Sequence, residues 1–128
     1  ILYPAAVIVS AREVWLDTGI QVAEDEIVNV RYLSGLWNVN PSAHFRSYGP
    51  EGIGITAKEG YALPGENEGC LVGKIGSGKA FYIGTGAALP KGSGNLFLTA
   101  NDDLYRRYGG GYKDNEGAVT VEIRKELR

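Results

Sequence analysis

In 128 residues the sequence has no methionine, one cysteine and one histidine. Each scarcity removes a kind of chemistry. Cys70, alone, can form no internal disulfide, and within the apolar run GCLV it reads as a buried, inert thiol. Its solitude does not fix a compartment, because secreted domains can lack disulfides. One His and one Cys cannot furnish the four ligands of a usual zinc site. A Ser-His-Asp site would have to recruit His44, in WNVNPSAHFRSYGPEG, and no serine sits in a nucleophile-elbow pattern. His44 reads as a loop residue. Carboxylate pairs exist, but no pocket able to raise the pKa of one is visible in the sequence. The domain is therefore read as non-enzymatic for want of parts.

Other features are missing too. No apolar run approaches the roughly 18 to 20 residues that span a bilayer. The opening ILYPAAVIVSA has no basic flank and reads as a first strand, not a signal peptide. Net charge is −2 with the signs interspersed, so no basic face for nucleic acid is evident. Helical periodicity is nearly absent. One domain is expected over 1–128, and because the chain begins with Ile, it is expected to be excised from a larger protein.

What is present is β-forming sequence punctuated by 19 glycines. The β-prone runs cover 5–11, 13–22, 26–35, 52–57, 69–76, 80–86, 95–101 and 118–125. In the last, Val119, Val121 and Ile123 alternate with Thr120, Glu122 and Arg124, the pattern of a half-buried antiparallel strand. The expected fold is all-β: an antiparallel β-sandwich of about eight short strands. This context decides the reading of GKIGSGKA (73–80), which imitates a phosphate-binding P-loop. A P-loop needs Ser or Thr after its Lys and a helix thereafter. Here Ala80 and FYIGTG follow, so the stretch reads as a hairpin turning at Gly76-Ser77-Gly78.

The richest polar segment is TANDDLYRRYGGGYKDNEGA (99–118). Its ends supply Asn101, Asp102 and Asp103, then Asp114, Asn115 and Glu116. Clustered oxygen donors suit calcium, a hard cation taking about six to eight oxygens. The order is not that of an EF-hand. The alternative is a solvated hairpin loop, since Asn, Asp and Gly are ordinary turn residues. Tyr105, Tyr108 and Tyr112 could stack on a sugar ring or merely pack the loop down. Arg106 and Arg107 between them raise the idea of acidic saccharides.

Four pieces carry a resemblance: WLDTGIQVAEDEIVNV, SGLWNVNP, EGCLVGKIG, and the pairing of LTAND with GYKDNEGAVTVEI. In order and spacing they are similar to the LecA-like (PA-I type) bacterial lectins, calcium-dependent galactose binders with a jelly-roll sandwich. The resemblance runs from about Val14 to Arg124. It implies a calcium bound by the carbonyl of Val39, Asp102, the carbonyl of Gly111, Asp114 and Asn115. It implies a galactoside on that metal touching Asp102, Asp103, Asp114 and Asn115. Glu59 falls, with Thr56, where the family places its middle-loop arms, which are His and Gln; a tyrosine, Tyr112 or Tyr48, would cover the ring face. Asp114 stands where the family has an amide, 43–68 matches poorly, and LYRRYGG is an insertion. The resemblance further implies a secreted, cell-surface or periplasmic domain, attached to others or assembled in several copies.

Three functions compete on these grounds. The favoured one is a calcium-dependent, galactose-type carbohydrate-binding domain. The second is a structural or interaction sandwich whose calcium only stiffens a loop. The third, an enzyme, lacks parts. Trp15 and Trp37 read as core, Asp17 in DTG as a turn residue, Asn67 and Glu68 as hairpin residues, and Arg124 onward as a solvated end.

Overall fold

The computed structural model describes residues 2–127. Ile1 and Arg128, the outermost residues of the expected domain and of its charged end, lie outside the described residues. Nine strands form two antiparallel sheets: β1 (Ala5–Ser10), β2 (Leu16–Val22), β3 (Glu26–Ser34), β4 (Trp37–Asn38), β5 (Leu71–Ile75), β6 (Phe81–Tyr82), β7 (Gly86–Ala88), β8 (Gly94–Ala100) and β9 (Glu116–Leu127). One sheet runs β1-β9-β3-β7, with β4 also paired to β9, and the other runs β2-β8-β5-β6. The all-β sandwich read from alternation and turn spacing is what the chain forms.

The core lies where the inner faces meet. Val119, Val121 and Ile123 of β9 are fully buried, while Arg124 on the other face is exposed, as the alternation requires. They pack with Val9, Val28 and Val30 of their own sheet and with Ile20, Leu71, Leu96 and Leu98 of the other. Each such side chain contributes about 1.5–3 kcal/mol when fully buried. Trp37 is also fully buried and donates its indole N–H to the carbonyl of Gly69 at 2.7 Å, which explains how a polar ring edge is tolerated there. Trp15 is only half-buried, and the Lys74 ammonium sits 4.5 Å from its ring centre. Among the described residues no helix is long and apolar enough to cross a membrane.

Several local expectations need correction. The run 52–57 is not a strand. It folds back on 66–70 through single bridges, Glu51 to Cys70 and Thr56 to Asn67, because only scattered backbone bonds such as Ile53 N–H to Glu68 O (2.9 Å) form. The run 80–86 is not one strand either. Phe81–Tyr82 pairs with β5 in one sheet and Gly86–Ala88 with β3 in the other, so the chain changes sheets between them. Both Ile83 N–H and Gly84 N–H turn onto the Leu71 carbonyl, 3.0 Å each. Asp17 lies inside β2 at a register shift, not in a turn between strands, and its carboxylate accepts from Gly19 N–H at 2.9 Å.

The GKIGSGKA stretch behaves as expected: β5 ends at Ile75, the chain turns, and β6 pairs back on β5. Of its two turn glycines, Gly76 supplies the positive φ, at 56°.

Register places the polar loop. Leu71 pairs with Ala100 and Ile75 with Leu96, so residues before β5 and after β8 lie together at one end of the sandwich. At that end β4 crosses onto the start of β9, Trp37 opposite Gly117 and Asn38 opposite Glu116. Gly117 is required: at φ 87°, a Cβ there would come within 2.2 Å of the Leu36 carbonyl oxygen. Val39, 68–70, 101–103 and 111–115 are thereby delivered to one place.

Candidate functional site

At this end lies an open cleft of about 320 Å³. Val39 and Asn40 line it from the segment after β4, Tyr61 and Glu68 from the middle of the chain, and Asp102, Asp103, Tyr108 and Asp114 from the loop between β8 and β9. Gly111 lies at its edge, opening a short 3₁₀ turn, Gly111–Asp114, that swings Asp114 back toward Asp102.

Asp102 is the centre of the polar arrangement. It follows β8 directly and is buried. One carboxylate oxygen accepts the Asp103 backbone N–H at 2.7 Å, and the other accepts the Asn115 amide N–H at 2.7 Å. Burial still pushes its pKa up to about 7, and the neighbouring charges of Asp114 and Asp103 push the same way. A carboxylate held in this manner would be relieved by a nearby cation. Asn115 is fully buried and spends its amide hydrogens on Asp102 and on the Ala11 carbonyl at 2.8 Å. Its oxygen Oδ1 is buried with no hydrogen-bond partner. Such orphans are rare in native proteins and often mark an ion or a water.

The five residues expected to share a metal therefore come together at one end: Val39, Asp102, Gly111 and Asp114 line the cleft, and Asn115 lies behind Asp102. Their side-chain and main-chain donors are all oxygens, the kind a hard cation takes. Only two of the five are carboxylates, and among the described residues no group of three or more His, Cys, Asp and Glu is disposed to hold a metal. Asn115 Oδ1, the orphan, is the atom of this structure that such an ion would satisfy.

The expected ligand-contacting residues divide. Asp103 lines the cleft, but its carboxylate is engaged in folding the insertion, accepting Tyr105 N–H at 3.3 Å and Tyr108 N–H at 2.8 Å. Glu59 is not brought to the cleft; its side chain is exposed, and its carbonyl accepts the Tyr108 hydroxyl at 3.1 Å. Thr56 is exposed in the bridge to Asn67. Tyr112 is not a surface platform: it is buried, with its hydroxyl donating to the Ala100 carbonyl at 2.6 Å. Tyr48 is half-buried, and its hydroxyl accepts Val39 N–H at 3.0 Å. The rings at the cleft are instead Tyr108 and Tyr61, 6.1 Å apart and tilted by 39°. Tyr108 belonged to the three loop tyrosines; Tyr61 carried no signal beyond being aromatic. His44 lies in a loop, where its carbonyl accepts from Asn38 at 2.7 Å. Cys70 is buried and its thiol is pushed up to about 12, mainly by that burial.

Glu68, read from sequence as a hairpin residue, is buried in the cleft wall. Arg106 turns away at φ 55° to line a separate groove with Arg12 and Lys113.

No family model and no curated protein matches this chain. Solved structures do. One is the N-terminal domain of EclA, described as a PllA-like lectin, which superposes with a TM-score of 0.66 at 25% identity over 94% of this chain and 95% of that one. The chain has a lectin-like fold. At this identity the kinship concerns the backbone, and the chemistry rests on the residues described above.

Proposed function

We propose that this chain is a non-catalytic, calcium-dependent carbohydrate-binding domain of galactose type. The observation that carries the proposal is the buried, partnerless Oδ1 of Asn115 beside the buried carboxylate of Asp102, at a cleft that also gathers Val39, Gly111 and Asp114. The lectin-like fold kinship supports the carbohydrate class, and the resemblance to LecA-like lectins supports calcium and galactose.

Calcium would be held by Asp102, Asp114, Asn115 and the carbonyls of Val39 and Gly111, and when bound would supply coordination to vicinal sugar hydroxyls. The chain's own contribution is orientation. Asp102 and Asn115 are locked to each other, so their positions are set before a ligand arrives. Tyr108 is half-exposed at the cleft and offers an apolar face to a sugar ring. Single-site affinity in so open a cleft would be modest, and several copies or attached domains would supply avidity.

The test is a thermal melt with excess EGTA, with calcium, and with calcium plus a sugar panel. Calcium should stabilise by about 2.7 kcal/mol at a hundred times its dissociation constant, and galactosides should add a further rise. A calcium response without a sugar response would favour the structural reading; no calcium response would remove the proposal.

A further inference from the structure

The cleft contains a buried carboxylate that the metal proposal leaves unused. Glu68 is 6% exposed, lines the cleft, and is absent from the five oxygen donors assigned above. Its backbone is fixed on both sides: its N–H donates to the Ile55 carbonyl at 2.8 Å, and its carbonyl accepts Ile53 N–H at 2.9 Å. The following residue, Gly69, is tied to Asn101 at 2.8 Å. The side chain thus stands on a rigid support beside Tyr61. Burial first, then the Glu68, Asp102 and Asp103 charges, and last a hydrogen bond with Glu68, hold the Tyr61 hydroxyl well above the usual tyrosine range, so it remains a donor. A carboxylate offers about four lone-pair sites, and one phenol fills one of them.

The charge of the cleft is one-sided. Glu68, Asp102, Asp103 and Asp114 line it, and no Lys, Arg or His does among the described residues. Cations nearby are committed to the rim: the Lys58 ammonium lies 4.8 Å from the Tyr108 ring centre and the Arg107 guanidinium 5.6 Å from that of Tyr105. Four negative charges less the two of a calcium ion leave a net negative wall. Like charge across a partly desolvated contact is a strong basis for rejection.

We propose that Glu68 contacts the ligand, accepting a hydrogen bond from a sugar hydroxyl or amine, and that the acidic wall restricts the cleft to neutral and amine-bearing sugars against uronic and sialic acids. This rests on the carbohydrate reading above. It runs opposite to the acidic-saccharide idea raised by Arg106 and Arg107, whose side chains do not line the cleft.

The experiment is isothermal titration of the whole chain in excess calcium with methyl galactoside, galactosamine and galacturonate, for wild type and Glu68→Gln, with a calcium melt of each. Wild type should bind galactosamine at least as well as methyl galactoside, and galacturonate about tenfold more weakly or worse. Glu68→Gln keeps the size of the side chain; its calcium shift should persist, its affinity for galactosamine should fall several-fold, and the galacturonate penalty should shrink. Equal binding of galacturonate and methyl galactoside by wild type overturns the inference, even if the variant does not fold. So does a folded variant with an unchanged order of ligands. A calcium shift with no sugar binding overturns it and leaves the metal site standing. Absence of the calcium shift itself defeats the reading beneath it, and the inference falls with that reading.

Discussion

The Asn115 amide reaches the Asp102 carboxylate across 2.7 Å, and both residues are buried. They are thirteen positions apart, yet the bond closes the entire loop between β8 and β9 onto itself. Without a cation, this pairing carries a desolvated negative charge once the pH passes about 7.

Replacing Asp102 with Asn should therefore have two opposite effects. In calcium the variant should lose the metal-dependent rise in melting temperature. In EGTA near pH 8 it should be at least as stable as wild type, by a margin on the order of 1–3 kcal/mol, because no buried carboxylate has to ionise. The sign follows from the raised pKa: between about 4, where the unfolded carboxyl titrates, and about 7, where the folded one does, the folded state binds the extra proton. Metal-free wild type should thus lose stability relative to the variant as pH climbs through that window, and hold level above it. Urea melts at several pH values would show it; a wild type more stable than the variant throughout would contradict it.

The tyrosines should separate by role. Tyr108→Ala should weaken the sugar response while keeping the calcium shift, since the ring lines the cleft and donates only to the Glu59 carbonyl. Tyr112→Phe should leave sugar binding intact and cost about 1 kcal/mol, the worth of its buried bond to the Ala100 carbonyl. The reverse pattern in a melt and titration series would reinstate Tyr112 as the platform.

Gly117→Ala should strike the cleft from a distance. The added methyl collides with the Leu36 carbonyl and lifts β4 from β9. A loss of at least about 1–3 kcal/mol is expected, along with a weaker calcium response, because Val39 follows β4 immediately. A variant with normal calcium affinity, measured by titration, would show that Val39 does not take part.

Cys70 should resist alkylation. Its thiol is buried and pushed up to about 12, so at pH 8 the reactive thiolate is scarce in the folded protein. Mass spectrometry should find the native protein unmodified by iodoacetamide and the urea-unfolded protein fully modified. Rapid labelling of the native state would mean the β5 end opens readily.

How much of this was legible in the sequence depended on the range of the signal. Strand β9 was plain, because Val119, Val121 and Ile123 alternate with polar residues and period two needs no partner to be seen. The metal candidates were legible through the resemblance and the crowding of Asp and Asn in one loop. Glu59 and Tyr112 were misplaced because their surroundings are set by tertiary bonds, here those of the Tyr112 hydroxyl to the Ala100 carbonyl and of the Tyr108 hydroxyl to the Glu59 carbonyl. Glu68 was hidden for the same reason: its neighbourhood is made by 53–55 and 61, which fold against it irregularly, with no period to betray them. The short β4 strand was missed because two residues carry no pattern, and only pairing with β9 defines them.

The turn after β5 lies at the end of the sandwich away from the cleft, since Ile75 and Leu96 are paired there while Leu71 and Ala100 are paired at the cleft. Ser77 in that turn is exposed. A tether attached at Ser77 would present every molecule on a sensor chip or bead with its cleft facing the solution. The stretch that mimics a phosphate-binding loop thus becomes the handle by which the molecule can be held without covering the cleft.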